Sequence, residues 1–332
     1  MENDFPGGRS FVKEALLKKG APSSSMSVLL SSLTQSSWKQ YEAHLKDWWL
    51  FCKNKSVDPT EPSVDLLLQN LQSLYERNVS YSTINTRRSA VSLIDCSSNL
   101  GTHPLISRFL KGIYKLRPSC PKYRFMWNPD PVINFLSSLE PIDSLSLQDL
   151  TYKTIGLLAF ATAHRCQTLG SIKITDIFIS SEQIKILISS PIKTSRPGFA
   201  QPCLILPYLT EAPQCCPARS LKYYMDCTNS MRSTSGEPKK LFLSLDKNHS
   251  PVSIQTISRW IKTILERSGV NISMFSAHSV RHTATSMASN KGISVDQIRE
   301  RAGWSKSSNV FAKYYNRPID TDQDFARAIL LG

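Results

Sequence analysis

Four prolines in one short stretch, Pro118, Pro121, Pro129 and Pro131, divide this chain. Proline lacks a backbone N–H and locks φ, so no helix runs through such a stretch. A chain of 332 residues broken there leaves two pieces, each long enough to bury its own core. We therefore expect a linker at 118–127, one domain over 34–117 and another over 128–332.

The first piece reads as helix throughout. Trp38, Tyr41, Leu45, Trp48 and Cys52 fall at offsets 0, 3, 7, 10 and 14, the apolar stripe of an amphipathic helix. Segments 63–76, about 80–96 (Ile84, Val91, Ile94) and 103–116 (Ile106, Phe109, Leu110, Ile113) complete four helices. Residues 1–33, with Gly7-Gly8 and the serine run 23–25, are expected to form a flexible arm with at most one short helix. In the last helix Arg108, Lys111 and Lys115 share one face, and Arg87 and Arg88 lie on the polar side of the third. A basic face alone reads as solvated surface; two in one small domain point to phosphate contact.

The second piece mixes periods. A helical pattern at 146–164 puts Ile155, Leu158, Ala159 and Thr162 on one face. Runs of β type follow at 176–180, 183–189 and 203–209, separated by turn residues including SRPG at 195–198. Beyond Pro217 the pattern is mostly helical, broken by a polar loop at 235–240. In 277–292 Val280, Ala284, Met287 and Ala288 read as the apolar face. Ser294 and Gln297 form a capping-box signature, and Gly303 is placed to end the helix it opens. The fold class expected is mainly α with a small antiparallel β-sheet.

Composition narrows the partners. Lys and Arg number 40 against 26 Asp and Glu, a net charge of +14, which favours a polyanion such as nucleic acid or an anionic membrane. The eight cysteines show no C-x-x-C pair and no repeated Cys/His spacing, so neither a zinc site nor a disulfide framework is expected. No apolar run is long enough to span a bilayer, and the N-terminal stretch lacks the apolar core of a signal peptide. The expected setting is intracellular, in the nucleus.

Several chemistry-bearing residues are unremarkable singly. His278 and Arg281, three apart, read alone as a helix-start histidine and a surface arginine. Their order along the chain carries more. Arg165 follows a buried-type helix in FATAHRCQTLGSI, and Lys193 sits on a hairpin between β-type runs. Then come His278-x-x-Arg281-His282, Gly303-Trp304-Ser305 and the pair Tyr314-Tyr315. This order resembles the tyrosine recombinase/phage integrase family. The N-terminal stretch and the Gly-Trp look most like the recombinases of DIRS-type retrotransposons.

The resemblance implies a helical core-binding domain over 34–117 followed by an α+β catalytic domain. It implies DNA cleavage and rejoining through a 3′-phosphotyrosyl link, with no metal or other cofactor. Double-stranded DNA and self-association into a dimer or tetramer on it are the implied partnerships. The implied roles fit the residue types. A tyrosine hydroxyl, with a reference pKa of about 10, needs cations nearby to attack phosphorus. Arg165 and Arg281 would supply that charge and grip the non-bridging oxygens. His278 would hydrogen-bond the scissile phosphate and help take the tyrosine proton, and Trp304 would donate an N–H to phosphate. Lys193 would protonate the departing 5′ oxygen, with Lys185, inside a strand, as fallback. Thr168 departs from the pattern, standing where many relatives carry an acid.

The tyrosine pair leaves a choice. The count from Trp304 favours Tyr314, whereas Phe311-x-x-Tyr314-Tyr315 resembles relatives in which the second tyrosine attacks. Val310, Phe311 and Tyr314 form one apolar patch if the segment is an α-helix, suiting Tyr314 to the core. Tyr315 is therefore the expected nucleophile. Two other functions fit the same residues: a DNA-binding protein that has lost catalysis, and a type IB topoisomerase.

Overall fold

The computed structural model describes residues 5–95, 99–118, 120–232, 239–305 and 307–319. The chain forms two compact units, Met1–Cys120 and Pro121–Gly332, parted inside the proline-rich stretch.

Among the described residues, six α-helices build the first unit: α1 (Gly8–Lys18), α2 (Met26–Leu30), α3 (Gln35–Asn54), α4 (Val64–Glu76), α5 (Tyr81–Val91) and α6 (Pro104–Leu116). Side-chain caps start four of them. Thr34, Ser63, Ser80 and His103 each accept a backbone N–H from the first turn of α3, α4, α5 and α6. Trp38, Leu45, Trp48 and Cys52 of α3 are buried together with Leu67, Leu71, Ile84, Ile94 and Ile106. That stripe is the one the apolar spacing predicts.

The expected flexible arm is a correction. Residues 8–30 include two helices, and Phe11, Val12 and Ala15 of α1 are in the same core. Both oxygens of the Glu42 carboxylate, on α3, accept from the Gly8 N–H at 3.0 Å, where the helix dipole favours an anion. Gly7 takes φ +87 just before the helix, and a Cβ on Gly8 would lie 2.6 Å from Glu42 Oε2. The two glycines are thus an anchor, not a hinge.

The second unit holds α7 (Asp130–Ser138), α8 (Leu147–Thr162), α9 (Cys166–Ser171), α10 (Pro217–Thr228), α11 (Ile254–Arg267), α12 (Ser279–Asn290) and α13 (Val295–Arg301). Between α9 and α10 runs an antiparallel sheet in the order β1 (Ile177–Ile179), β2 (Gln183–Leu187), β3 (Cys203–Pro207). Ile186 pairs with Ile177 on one side and with Leu204 on the other. Ile184, Ile186, Leu204 and Leu206 face the core, and Lys185 faces out. α8 is buried on nearly every side, Lys153 included; its ammonium reaches Glu140 at 2.8 Å and the Leu136 and Leu139 carbonyls. At the chain's far end, the Met126 N–H donates to the Pro318 carbonyl at 2.8 Å. The segment 320–332, long enough for about one helix, lies outside the described residues, as does most of the polar loop at 235–240.

Candidate active site

The site begins where α8 stops. Ala163 takes a left-handed conformation (φ 50, ψ 22), which ends the helix. Arg165 then caps α9 in an extended conformation (φ −76, ψ 154), half-exposed beside the buried His164. The Ala163 carbonyl accepts a hydrogen bond from Arg281 Nη1 at 2.7 Å, tying this corner to α12.

α12 carries the other basic residues. Its expected apolar face is a correction: Ala284, Met287 and Ala288 are only half-buried, while Arg281, His282, Thr283, Thr285 and Ser286 are buried. A polar helix face is interred here because it packs against a site rather than against the apolar core. Arg281 is 2% exposed, with its guanidinium carbon 4.2 Å from the Trp304 ring centre and 5.3 Å from that of Tyr315. Among the described residues its Nε and Nη2 have no hydrogen-bond partner within normal geometry, and neither has the buried Trp304 Nε1. Buried donors of this kind are costly unless something accepts from them.

Trp304 is set in place by the end of α13. The capping box of Ser294 and Gln297 opens that helix. It closes with Trp304 N–H on the Arg299 carbonyl and Gly303 N–H on that of Glu300. Gly303 has φ +66, and a Cβ there would come within 2.8 Å of His164 Cε1. Glycine lets the turn form and lets His164 pack against it.

Residues Phe311–Tyr315 form one turn of π-helix. The wider turn buries Phe311 and Tyr315 and leaves Tyr314 48% exposed. That corrects the packing expected of Tyr314, which assumed α-helical spacing; π-bulges recur at functional sites. The Tyr315 hydroxyl lies 3.0 Å from His278 Nε2. Tyr315 also lines a cleft of about 330 Å³ with Lys122, Tyr123, His282, Tyr314 and Arg317.

Electrostatics favour a neutral histidine among cations. His278 is exposed as a residue, but desolvation of its ring, then Arg281, Arg165, Lys122 and Lys193, push its pKa down to about 4. A neutral imidazole can accept a proton from the phenol. Burial and Arg165 lower Arg281 to about 10, so it stays a cation at neutral pH. Burial and the charges of Arg281 and Arg165 lower His164 to about 3. Lys193 is exposed on the link between β2 and β3, its N–H donating to Gln167 Oε1 at 3.2 Å. Lys185 stands on the outer face of β2 opposite Phe178 and Ile205. Thr168 is buried in the first turn of α9, its N–H on the Arg165 carbonyl.

The sequence profile of the phage integrase family matches residues 134–320, more than half of the chain. The chain belongs to that family. No protein of curated function matches it in sequence. Solved structures share its fold. The XerH site-specific recombinase bound to palindromic difH substrate is 16% identical at a TM-score of 0.61, covering 97% of this chain and 88% of that one. The Tn1549 transposon integrase in complex with transposon right end DNA is 14% identical at 0.59, over 98% and 100%. A lambda integrase dimer bound to a COC′ core site is 14% identical at 0.51, over 93% and 95%.

Of the residues the sequence singled out, this integrase-family chain brings Arg165, Arg281, His278, Trp304 and Tyr315 together, with Lys193 in electrostatic reach. His164, Ser286 and Lys122 join them unforeseen, and His282, part of the motif order but given no role there, joins them too. Only the spacing of His278, His282 and Ser286, four apart, could have signalled two of these. In the first unit the basic candidates divide. Arg108, Lys111 and Lys115 are exposed along α6. Arg87 is 2% exposed, donating to Asp47 at 2.7 Å and to Asn70 at 3.0 Å. Arg88 is half-buried on Asn85 and the Gly101 carbonyl. Neither presents a free guanidinium to phosphate, because each satisfies polar groups inside the bundle.

Proposed function

We propose that this protein is a site-specific DNA recombinase or integrase that cuts and rejoins DNA through Tyr315. The observation that carries the reading is the Tyr315 hydroxyl 3.0 Å from a neutral His278 Nε2, beside an Arg281 with two buried nitrogens that have no partner among the described residues. The tyrosine oxygen attacks phosphorus and its proton passes to His278. The bond from phosphorus to the 5′ oxygen breaks, and Lys193 delivers a proton to that oxygen. Arg165, Arg281 and Trp304 hold the non-bridging oxygens as charge builds on them. The phosphotyrosyl bond keeps the energy of the one it replaced, so a second strand's 5′ hydroxyl reverses the attack.

Exposed Arg108, Lys111 and Lys115 supply phosphate contacts in the first unit. Assembly as a dimer or tetramer on DNA is supported by the likeness to the lambda integrase dimer on its core site. Gly303-Trp304 and Phe311-x-x-Tyr314-Tyr315 support service to a mobile element of the DIRS type, acting in the nucleus. Reverse-transcriptase coding sequence beside the gene would support that assignment; a solitary host gene would count against it.

The test is covalent capture. The protein is incubated with a pool of nicked duplexes of randomised sequence, and DNA surviving denaturation on the protein is recovered. Enrichment of one sequence, joined at Tyr315, is expected. No adduct from the whole pool would leave a DNA-binding protein without catalysis, and plasmid relaxation without recombinant products would leave a topoisomerase.

A further inference from the structure

His278, His282 and Ser286 lie four residues apart on α12, so they stand above one another on one face of the helix. All three touch the same residue. The His278 Nε2 meets the Tyr315 hydroxyl at 3.0 Å. The His282 ring lies 3.9 Å from the Tyr315 ring at an interplanar angle of 12°, face to face. The Ser286 hydroxyl donates to the Tyr315 carbonyl at 2.6 Å and accepts from the Arg317 N–H at 3.1 Å. Hydroxyl, ring face and main chain are each held from one helix.

The supports are themselves supported. Ser286 is fully buried and His282 is 9% exposed. Two edge-to-face contacts brace the His282 ring, one with His278 at 5.2 Å and one with Tyr123 at 5.4 Å. Tyr123 is pinned in turn by its hydroxyl, 2.8 Å from Ser276 Oγ. Among the described residues the buried His282 Nδ1 has no partner, so that atom does not explain the ring's placement. Burial, His278 and Arg281 outweigh a backbone hydrogen bond at Tyr314 and keep the imidazole uncharged, which lets it lie flat against the phenol among the cations.

A turn of Tyr315 about χ1 would swing its hydroxyl away from phosphorus, a turn about χ2 would misalign the oxygen's lone pairs and its bond to His278, and small misplacements of a reacting group cost rate steeply. We propose that His282 and Ser286 are positioning residues for the nucleophile: His282 as a flat plate that fixes the Tyr315 ring, and Ser286 as the clamp on its main chain. This rests on Tyr315 being the attacking residue.

The test uses the duplex captured by the wild-type protein, in single-turnover adduct formation. His282→Leu and Ser286→Ala are each expected to slow the adduct about tenfold or more while DNA affinity stays within about twofold. His282→Phe keeps a flat ring and is expected within about threefold of wild type, with the same pH profile. Wild-type rates from either His282→Leu or Ser286→Ala would overturn the proposal. So would a His282→Phe as slow as His282→Leu, because a ring nitrogen would then be the active element. A readout independent of turnover covers variants that fold poorly. Wild-type protein carrying 3-fluorotyrosine, free of DNA, is expected to show one narrow fluorine resonance from Tyr315, assigned by its loss in Tyr315→Phe. A resonance broadened or split by ring exchange would sink the proposal whatever the adduct rates. No adduct from the wild type would instead count against the recombinase reading.

Discussion

Tyr314 and Tyr315 are adjacent and chemically identical, yet one is exposed and the other faces His278. Tyr315→Phe is expected to abolish the covalent adduct, while Tyr314→Phe keeps it within about threefold. Capture by Tyr315→Phe and failure of Tyr314→Phe would reverse the assignment. Ala163 is a second position where one residue sets geometry. Its left-handed φ of 50 costs an alanine what a glycine avoids, and it aims the carbonyl that holds Arg281. Ala163→Gly relieves that strain but loosens the unfolded chain, so a net gain of about 0.5 kcal/mol is expected by denaturant unfolding. A loss of stability would show that the Ala163 methyl does packing work.

At the scale of elements, α1 tests whether the N-terminal region is part of the first unit's core or an appendage. Its N-terminus rests on Glu42 and its apolar face on the α3 core. Glu42→Ala removes an exposed carboxylate bonded to a helix N–H, at an expected cost of about 0.5–1 kcal/mol in thermal or urea unfolding. Faster native-state trypsin cleavage within residues 13–19 should accompany the loss. An unchanged melt would make α1 independent of that anchor.

At the scale of the whole molecule, two buried histidines make stability depend on pH. His278 is depressed to about 4 but is exposed, so solvent screens its share; His164 and His282 are each depressed to about 3 from 6.5. The unfolded chain binds their protons first. Their contribution is therefore complete above pH 6.5 and is lost as pH falls towards the folded values, by up to about 1.4 kcal/mol per unit for each. Asp58, Glu140 and Asp149 are also depressed, but from 3.8 to 4.5, so they act only at lower pH. Melting temperature is expected to drop between pH 6.5 and 5, and His164→Gln should shallow that drop. A flat profile through this window would mean the histidines are protonated without penalty.

Local information alone placed much of this protein. Apolar spacing marked the α3 stripe, Ser294 and Gln297 marked the start of α13, and alternation marked the strands, because each signal lies within a few residues of its effect. Motif order also marked Arg165, His278, Arg281, Trp304 and Tyr315, since the residue types their chemistry needs are scarce in combination. Tertiary structure decided the rest. It turned Arg87 inward onto Asp47 and drew residues 8–30 into the first core. It also wound residues 311–315 into a π turn that exchanged the expected burial of the two tyrosines. Those outcomes depend on partners tens of residues away, on Asp47 for Arg87 and on α12 for Tyr315, and no local period carries that information.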